Sequence, residues 1–175
     1  MQKVKLPKQL DPFKNAVKRS DYDGVLEVKD MSRLHEAAAA VEDDVSVNVR
    51  FDKDAQGLAF FDGTLTTKVS LICQRCNESF VYPVSVSFCF CPIRSDSDLD
   101  ELPERYEPVE VDDHGNVDLL KLFEDELILS LPLVALHAEQ DCQIRSDEMS
   151  YGEVEPVDDN PNPFAVLKEL KRDQE

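Results

Sequence analysis

Two alternating runs on either side of a Cys-x-x-Cys limit what this chain can fold into. In the first, Leu65, Thr67, Val69 and Leu71 share one parity, and Thr66, Lys68 and Ser70 the other. In the second, Phe80, Tyr82, Val84, Val86, Phe88 and Phe90 share one parity, and Ser79, Ser85 and Ser87 the other. A period of two sustained over this length belongs to half-buried strands, because a helix would repeat its apolar side every three to four residues. The connection Cys73-Gln74-Arg75-Cys76-Asn77 is short enough for a hairpin. The stretch from Leu65 to Phe90 therefore predicts a long antiparallel hairpin whose turn carries two thiols, with the rest of the chain packed on its apolar face.

The other segments are read around that hairpin. Asp11 as N-cap and Pro12 at the first helical position predict a helix over 12–18. Asp21-Tyr22-Asp23-Gly24 predicts a turn, and Val25 to Val28 a short strand. Asp30 predicts the cap of a second helix, with Leu34, Ala37, Ala38 and Val41 at i, i+3, i+4 and i+7. Val45, Val47, Val49 and Phe51 alternate with polar residues as in a strand, and 52–57 reads as a loop. Asp62-Gly63 reads as a bulge or tight turn. The segment 95–113 is an acidic loop holding a candidate strand at 108–111, and Asp112 to Gly115 is a turn. Asp118 caps an apolar helix with Leu119, Leu120, Phe123 and Leu127 in one stripe, stopped by Pro132. Glu124, Asp125 and Glu126 in its middle are expected to face solvent. The expected fold is α+β: a mainly antiparallel β-sheet with a long central hairpin, covered by the apolar helix, plus a short C-terminal helix. Residues 1–144 form one domain, with a basic N-terminal arm at 1–19 and the acidic loop at 95–113. Residues 145–175 form an acidic linker and an amphipathic helix from Phe164 to Lys171, too short to be stable alone in water.

The 175 residues give room for one sizeable core. No apolar run approaches the roughly 20 residues that span a bilayer, and the N-terminus lacks the apolar region of a signal peptide. The expectation is a cytoplasmic chain with no membrane partner, in which five cysteines read as free thiols or metal ligands before disulfides. The net charge of -18 repels nucleic-acid phosphate unless the bases are segregated. In part they are. Residues 1–19 hold Lys3, Lys5, Lys8, Lys14, Lys18 and Arg19 against Asp11 alone, a net of +5, leaving -23 on the remainder. That arm is a solvated surface segment or a contact for RNA or another anion, together with Lys168, Lys171 and Arg172 near the C-terminus.

Cys73 and Cys76 supply half of a tetrahedral metal site. His137 and Cys142, after Pro132, are the candidate second half, so a Cys-Cys-His-Cys structural zinc site would close if the covering helix returns the chain to the hairpin turn. The alternative is that Cys73 is a small buried residue ending a strand and His137 an ordinary surface or core histidine. Cys89 and Cys91 lie opposite the aromatic row and are expected to be small buried residues. A thioredoxin-like reading of Cys-Gln-Arg-Cys lacks the helix that such a motif opens. There is no Gly-rich phosphate loop, no Gly-x-Ser-x-Gly and no Ser/His/Asp set among three histidines, so nothing argues for an enzyme. The aromatic row Phe80, Tyr82, Phe88 and Phe90 lacks the Lys and Arg of an RNA-stacking platform and reads as core.

Several stretches together resemble the YceD family, the large ribosomal RNA subunit accumulation proteins. They are Gln2-Lys-Val-Lys-Leu-Pro, Leu10-Asp-Pro, Asp21-Tyr-Asp-Gly, Cys73-Gln-Arg-Cys, Pro92-Ile-Arg-Ser-Asp, Leu102-Pro-Glu-Arg-Tyr-Glu-Pro, Glu124-Asp-Glu-Leu-Ile-Leu-Ser-Leu-Pro and Pro161-Asn-Pro-Phe-Ala-Val-Leu-Lys-Glu-Leu-Lys. The resemblance runs nearly end to end. It implies a non-enzymatic role in the synthesis, processing or stability of 23S ribosomal RNA in bacteria. More distant members carry additional cysteines after the Leu-Pro that ends the long helix, where this chain keeps His137 and Cys142. Two mechanisms fit the implied role: a basic arm that touches rRNA, or an acidic body that holds a basic ribosomal or assembly protein. Charge favours the second. From another class, Cys73 and Cys76 also fit a redox or metal-sensing protein.

Overall fold

The computed structural model describes residues 4–94, 102–144 and 152. The C-terminal helix expected over 164–171, and Lys3, Lys168, Lys171 and Arg172, lie outside them. The chain divides into two compact units, Met1–Cys142 and Gln143–Glu175, and the description that follows concerns the first.

In order, β1 (Val4–Lys5) and β2 (Gln9–Leu10) precede α1 (Pro12–Lys18). Asp11 caps α1, its carboxylate accepting from the Lys14 amide at 2.9 Å, and Arg19 ends it in the left-handed region at φ 52°. There follow β3 (Asp21–Leu26), a 3-10 turn at Val28–Asp30, α2 (Ser32–Ala37), β4 (Ala40–Val41), β5 (Val45–Lys53), β6 (Ala59–Ile72), β7 (Ser79–Ile93), β8 (Glu107–Glu110) and β9 (Val117–Asp118). The Asp118 carboxylate caps α3 (Leu119–Leu129) by accepting from the Lys121 amide at 3.0 Å. A 3-10 turn at Glu139–Asp141 follows.

The main sheet has seven strands in the order β1-β3-β5-β6-β7-β8, with β4 paired to β6 beyond the point where β5 stops. The long hairpin of β6 and β7 runs in continuous register from Phe61↔Phe90 to Ile72↔Ser79. Pairing is antiparallel except β1 with β3 and β7 with β8, which are parallel. β2 and β9 form a separate two-stranded ladder. Alternation decides the core. Val45, Val47, Val49 and Phe51 of β5, Phe61, Leu65, Val69 and Leu71 of β6, and Val84, Phe88 and Phe90 of β7 are all buried. Leu119, Phe123 and Leu127 of α3 cover them, with the Phe88 and Phe123 rings 4.9 Å apart. Thr67 sits on the buried row because its hydroxyl donates to the Asp43 carbonyl at 2.7 Å.

The α+β architecture and the helix-covered hairpin are as the sequence predicts. Several local expectations are corrected. Asp21 to Gly24 is no turn but the first part of β3, paired with 47–50 of β5, and β3 ends at Leu26. Here sheet pairing outweighs the turn preference of Asp and Gly. The second helix spans only Ser32–Ala37; Asp30 belongs to the preceding 3-10 turn, and Ala40 and Val41 leave to pair with Ser70 and Val69. Asp62-Gly63 is neither bulge nor turn, since β6 passes through it in unbroken register. Gly63 is required by close approach: a Cβ there would lie 2.0 Å from the Asn48 carbonyl oxygen. Glu124 does not face solvent. It is 5% exposed, held between α3 and the start of α2.

Candidate metal centre

The hairpin turn owes its shape to backbone hydrogen bonds around Cys73. The Cys73 amide donates to the Glu78 carbonyl at 2.9 Å, and the Asn77 amide to the Cys73 carbonyl at 2.8 Å. Asn77 takes a positive φ of 63°, which the short side chain of Asn tolerates better than most. This tight loop puts the Cys73 and Cys76 sulfurs on one side. After Pro132 the chain returns to the turn, where the Gln74 amide donates to the Ala135 carbonyl at 2.8 Å. That bond, together with the His137 ring lying 4.7 Å from the Phe80 ring, sets His137 over the hairpin's end.

The result is a cluster of one ligand atom each from Cys73, Cys76, His137 and Cys142, all within 4.8 Å of one another. Cys73 Sγ lies 4.0 Å from Cys142 Sγ, and Cys76 Sγ lies 3.3 Å from His137 Nδ1. A tetrahedral ion with bonds of about 2.0–2.3 Å to nitrogen and sulfur sets its ligand atoms roughly 3.5–3.8 Å apart, so the observed spacing suits one. Cys73 and Cys142 are buried, and Cys76 and His137 half-buried. Burial pushes the Cys73 thiol up, but the backbone amides of His137, Cys76 and Arg75 aimed at its sulfur outweigh this and bring it down to about 5. A thiolate is the form that ligates metal. Three thiols and an imidazole, one thiol poised as thiolate and no competing carboxylate in the set, form a group that could hold a metal ion.

Sequence reading anticipated these four side chains but not what assembles them. The backbone bond from Gln74 to Ala135 and the Phe80 ring beneath His137 carry no signature in the sequence. Glu124, also missed, had one: Leu120, Glu124 and Leu127 sit at i, i+4 and i+7 of the helix, on the flank of its buried stripe. Cys89 and Cys91 stay outside the cluster. Cys91 is buried with its sulfur 3.3 Å from the Ala59 carbonyl oxygen, and Cys89 is half-buried, its thiol pushed up by burial.

The basic residues proposed for contact are not gathered into a free patch among the described residues. Lys5 pairs with Glu27 at 3.1 Å, Lys8 with Asp30 at 2.8 Å, Lys14 with Asp11 at 2.9 Å and Arg19 with Asp52 at 3.2 Å. Lys18 is exposed on α1. No described helix is long and apolar enough to cross a membrane.

A family model described as large ribosomal RNA subunit accumulation protein YceD matches residues 61–171. A Haemophilus influenzae protein named large ribosomal RNA subunit accumulation protein YceD is 41% identical over 173 residues, covering 98% of this chain and 99% of that protein. No solved structure matches the chain. With its Cys73-Gln-Arg-Cys turn inside the matched segment and a relative aligned over nearly its whole length, the chain belongs to the YceD family.

Proposed function

We propose that this chain acts in the accumulation of large-subunit (23S) ribosomal RNA, in its synthesis, processing or stability, as a cytoplasmic binding factor and not as an enzyme. The relative's name supports the role. The proposed mechanism is that the acidic body holds a basic ribosomal or assembly protein, and RNA accumulates because assembly succeeds. The observation that carries this mechanism is the pairing of the basic arm. Lys5, Lys8, Lys14 and Arg19 each face a carboxylate of the same domain, so four of the six bases in the +5 segment are already opposed. Exposed pairs of this kind are weak individually, but a phosphate backbone would have to displace four carboxylates to use them.

The test is binding of the purified chain, across a salt series, to purified 23S rRNA and to the proteins extracted from large ribosomal subunits. Capture of a Lys/Arg-rich protein with only non-specific rRNA binding is the expected result. Tight rRNA binding that falls steeply with salt and disappears in Lys3→Gln/Lys5→Gln/Lys8→Gln would replace this mechanism with direct contact by the arm.

Within this function we assign Cys73, Cys76, His137 and Cys142 to a structural zinc ion. The donor set and its spacing support the assignment. Zinc held this way ties the hairpin turn to the segment after α3. A redox-sensing use of Cys73 and Cys76 finds less support, because a sensor thiol must be reachable by oxidant and Cys73 is fully buried.

A further inference from the structure

The end of α3 and the segment after it are unusual in what they leave in water. Leu129 is 77% exposed, Leu133 99%, Val134 57% and Leu136 42%. Ile72 and Val81 are exposed at the same end of the hairpin but on the outer sheet face, opposite Leu71 and Phe80, and are not part of this group. Leu129, Leu133, Val134 and Leu136 are four of the eight large apolar side chains exposed among the described residues. Scattered single exposures need no explanation, but clustering at one end of a domain marks a contact surface.

The ordering of this segment is equally telling. Between Leu129 and Leu136 only Ala135 is buried, with Leu131 partly buried against the core. The Gln74 to Ala135 hydrogen bond also ties it to the hairpin turn, and the Cys/His cluster lies on its far side. A fold that anchors a loop in this way while leaving its leucines in solvent is holding them in position for something else.

Charge identifies the chemistry of the occupant. From Leu122 to Ile144 there is no Lys or Arg, while Glu126, Glu139 and Asp141 lie in the same stretch beside Glu124 and Asp125, which Arg33 already opposes. A second copy would bring another net -18 to the contact, and a nucleic acid its phosphates, so both are repelled. We propose that the apolar segment Leu129–Leu136 is the docking site for a basic protein segment bearing aliphatic side chains, its cations meeting the surrounding carboxylates and its apolar residues covering Leu133 and Val134. This rests on the reading that the acidic body holds a basic partner, and gives that contact its location.

The experiment uses the full-length chain with p-benzoylphenylalanine in place of Val134 or, as control, of the exposed Thr66 on the outer sheet face. Each is irradiated with the proteins extracted from large ribosomal subunits, with rRNA also present. Alongside it, capture of the same proteins is compared between the unmodified chain and Leu129→Ser/Leu133→Ser/Val134→Ser. The expected result is a crosslink from position 134, not 66, to a Lys/Arg-rich protein, and capture weakened about tenfold or more in the triple variant at unchanged melting temperature. Undiminished capture of a basic protein by the triple variant overturns this docking site while leaving the acidic-body mechanism standing. Failure of the unmodified chain to capture any basic protein removes that mechanism and the docking site with it. Crosslinks from position 134 to rRNA, to a second copy, or to residues 143–175 of the same chain overturn the proposed occupant.

Discussion

The carboxylate of Glu124, midway along α3, accepts hydrogen bonds from the backbone amides of Arg33 at 2.8 Å and Leu34 at 3.1 Å. α2 has no local side-chain cap, since Met31 precedes it. Glu124 supplies from a distant helix what an N-cap residue normally supplies from the adjoining position, and its negative charge meets the positive end of α2. The Arg33 guanidinium then binds the same carboxylate and that of Asp125.

Removing that carboxylate leaves two amides without partners near the core. Hydrogen bonds to charged groups contribute about 1.5–3 kcal/mol each, so Glu124→Leu is expected to lower unfolding stability by about 3 kcal/mol. Asp125→Ala, which removes only the more exposed half of the ion pair, should cost less than about 1 kcal/mol. Urea unfolding at neutral pH checks both. Equal effects would show that the capping role assigned to Glu124 is wrong.

Zinc at one per chain is expected by native mass spectrometry of the purified protein. Cys73→Ser and His137→Ala should each lose the ion and lower the melting temperature, whereas Cys89→Ser should change neither. A strong chelator should shift the unmodified protein toward the melting temperature of Cys73→Ser and leave that variant unaffected. Metal-free protein with full thermal stability would refute a structural ion.

At Gly63 the added methyl of an alanine would meet the Asn48 carbonyl oxygen at 2.0 Å and the Phe88 ring at 3.0 Å, in the middle of the sheet. Gly63→Ala is expected to cost more than about 3 kcal/mol, among the largest single-residue effects. Gly57→Ala is a useful contrast, because its methyl meets nothing and the cost comes only from the positive φ of 87°. Comparing soluble yield and unfolding midpoints of the two separates steric clash from backbone strain.

The Asp11 carboxyl titrates below its usual range, first because it accepts from the Lys14 amide, with the Lys14 ammonium adding to this. A carboxyl whose folded pKa is depressed stabilises the fold above its unfolded value of 3.8, and that contribution is lost as pH falls through the folded value. Asp11→Ala should therefore cost about 1 kcal/mol at pH 7, and the gap between the two proteins should shrink below pH 3.8. A gap of constant size down to the acid limit would mean that the cap works without its charge.

Much of this architecture was readable from local pattern. The parity rows of 65–90 specify a hairpin and its inward face, because one face of a strand is buried and a slip of one residue would turn every core residue outward. The caps at Asp11 and Asp118 announced α1 and α3 for the same kind of reason, a polar side chain bonding its own next turn. Where local and tertiary preferences conflict, the pattern misleads: Asp21-Tyr22-Asp23-Gly24 carries turn residues yet runs as strand because β5 is there to pair with it.

The candidate metal centre divides along the same line. Four ligand-type residues with plausible spacing were visible in the chain, and belonging to the YceD family was legible in its motifs. That Cys73, Cys76, His137 and Cys142 converge depended on α3 reversing the chain and on an Ala135 carbonyl reaching the Gln74 amide. A backbone carbonyl is the same atom in every residue, so no sequence pattern marks it. The pairing of Lys5, Lys8, Lys14 and Arg19 was equally hidden, because three of their four carboxylates come from residues well separated along the chain, and distance in sequence says nothing of distance in space.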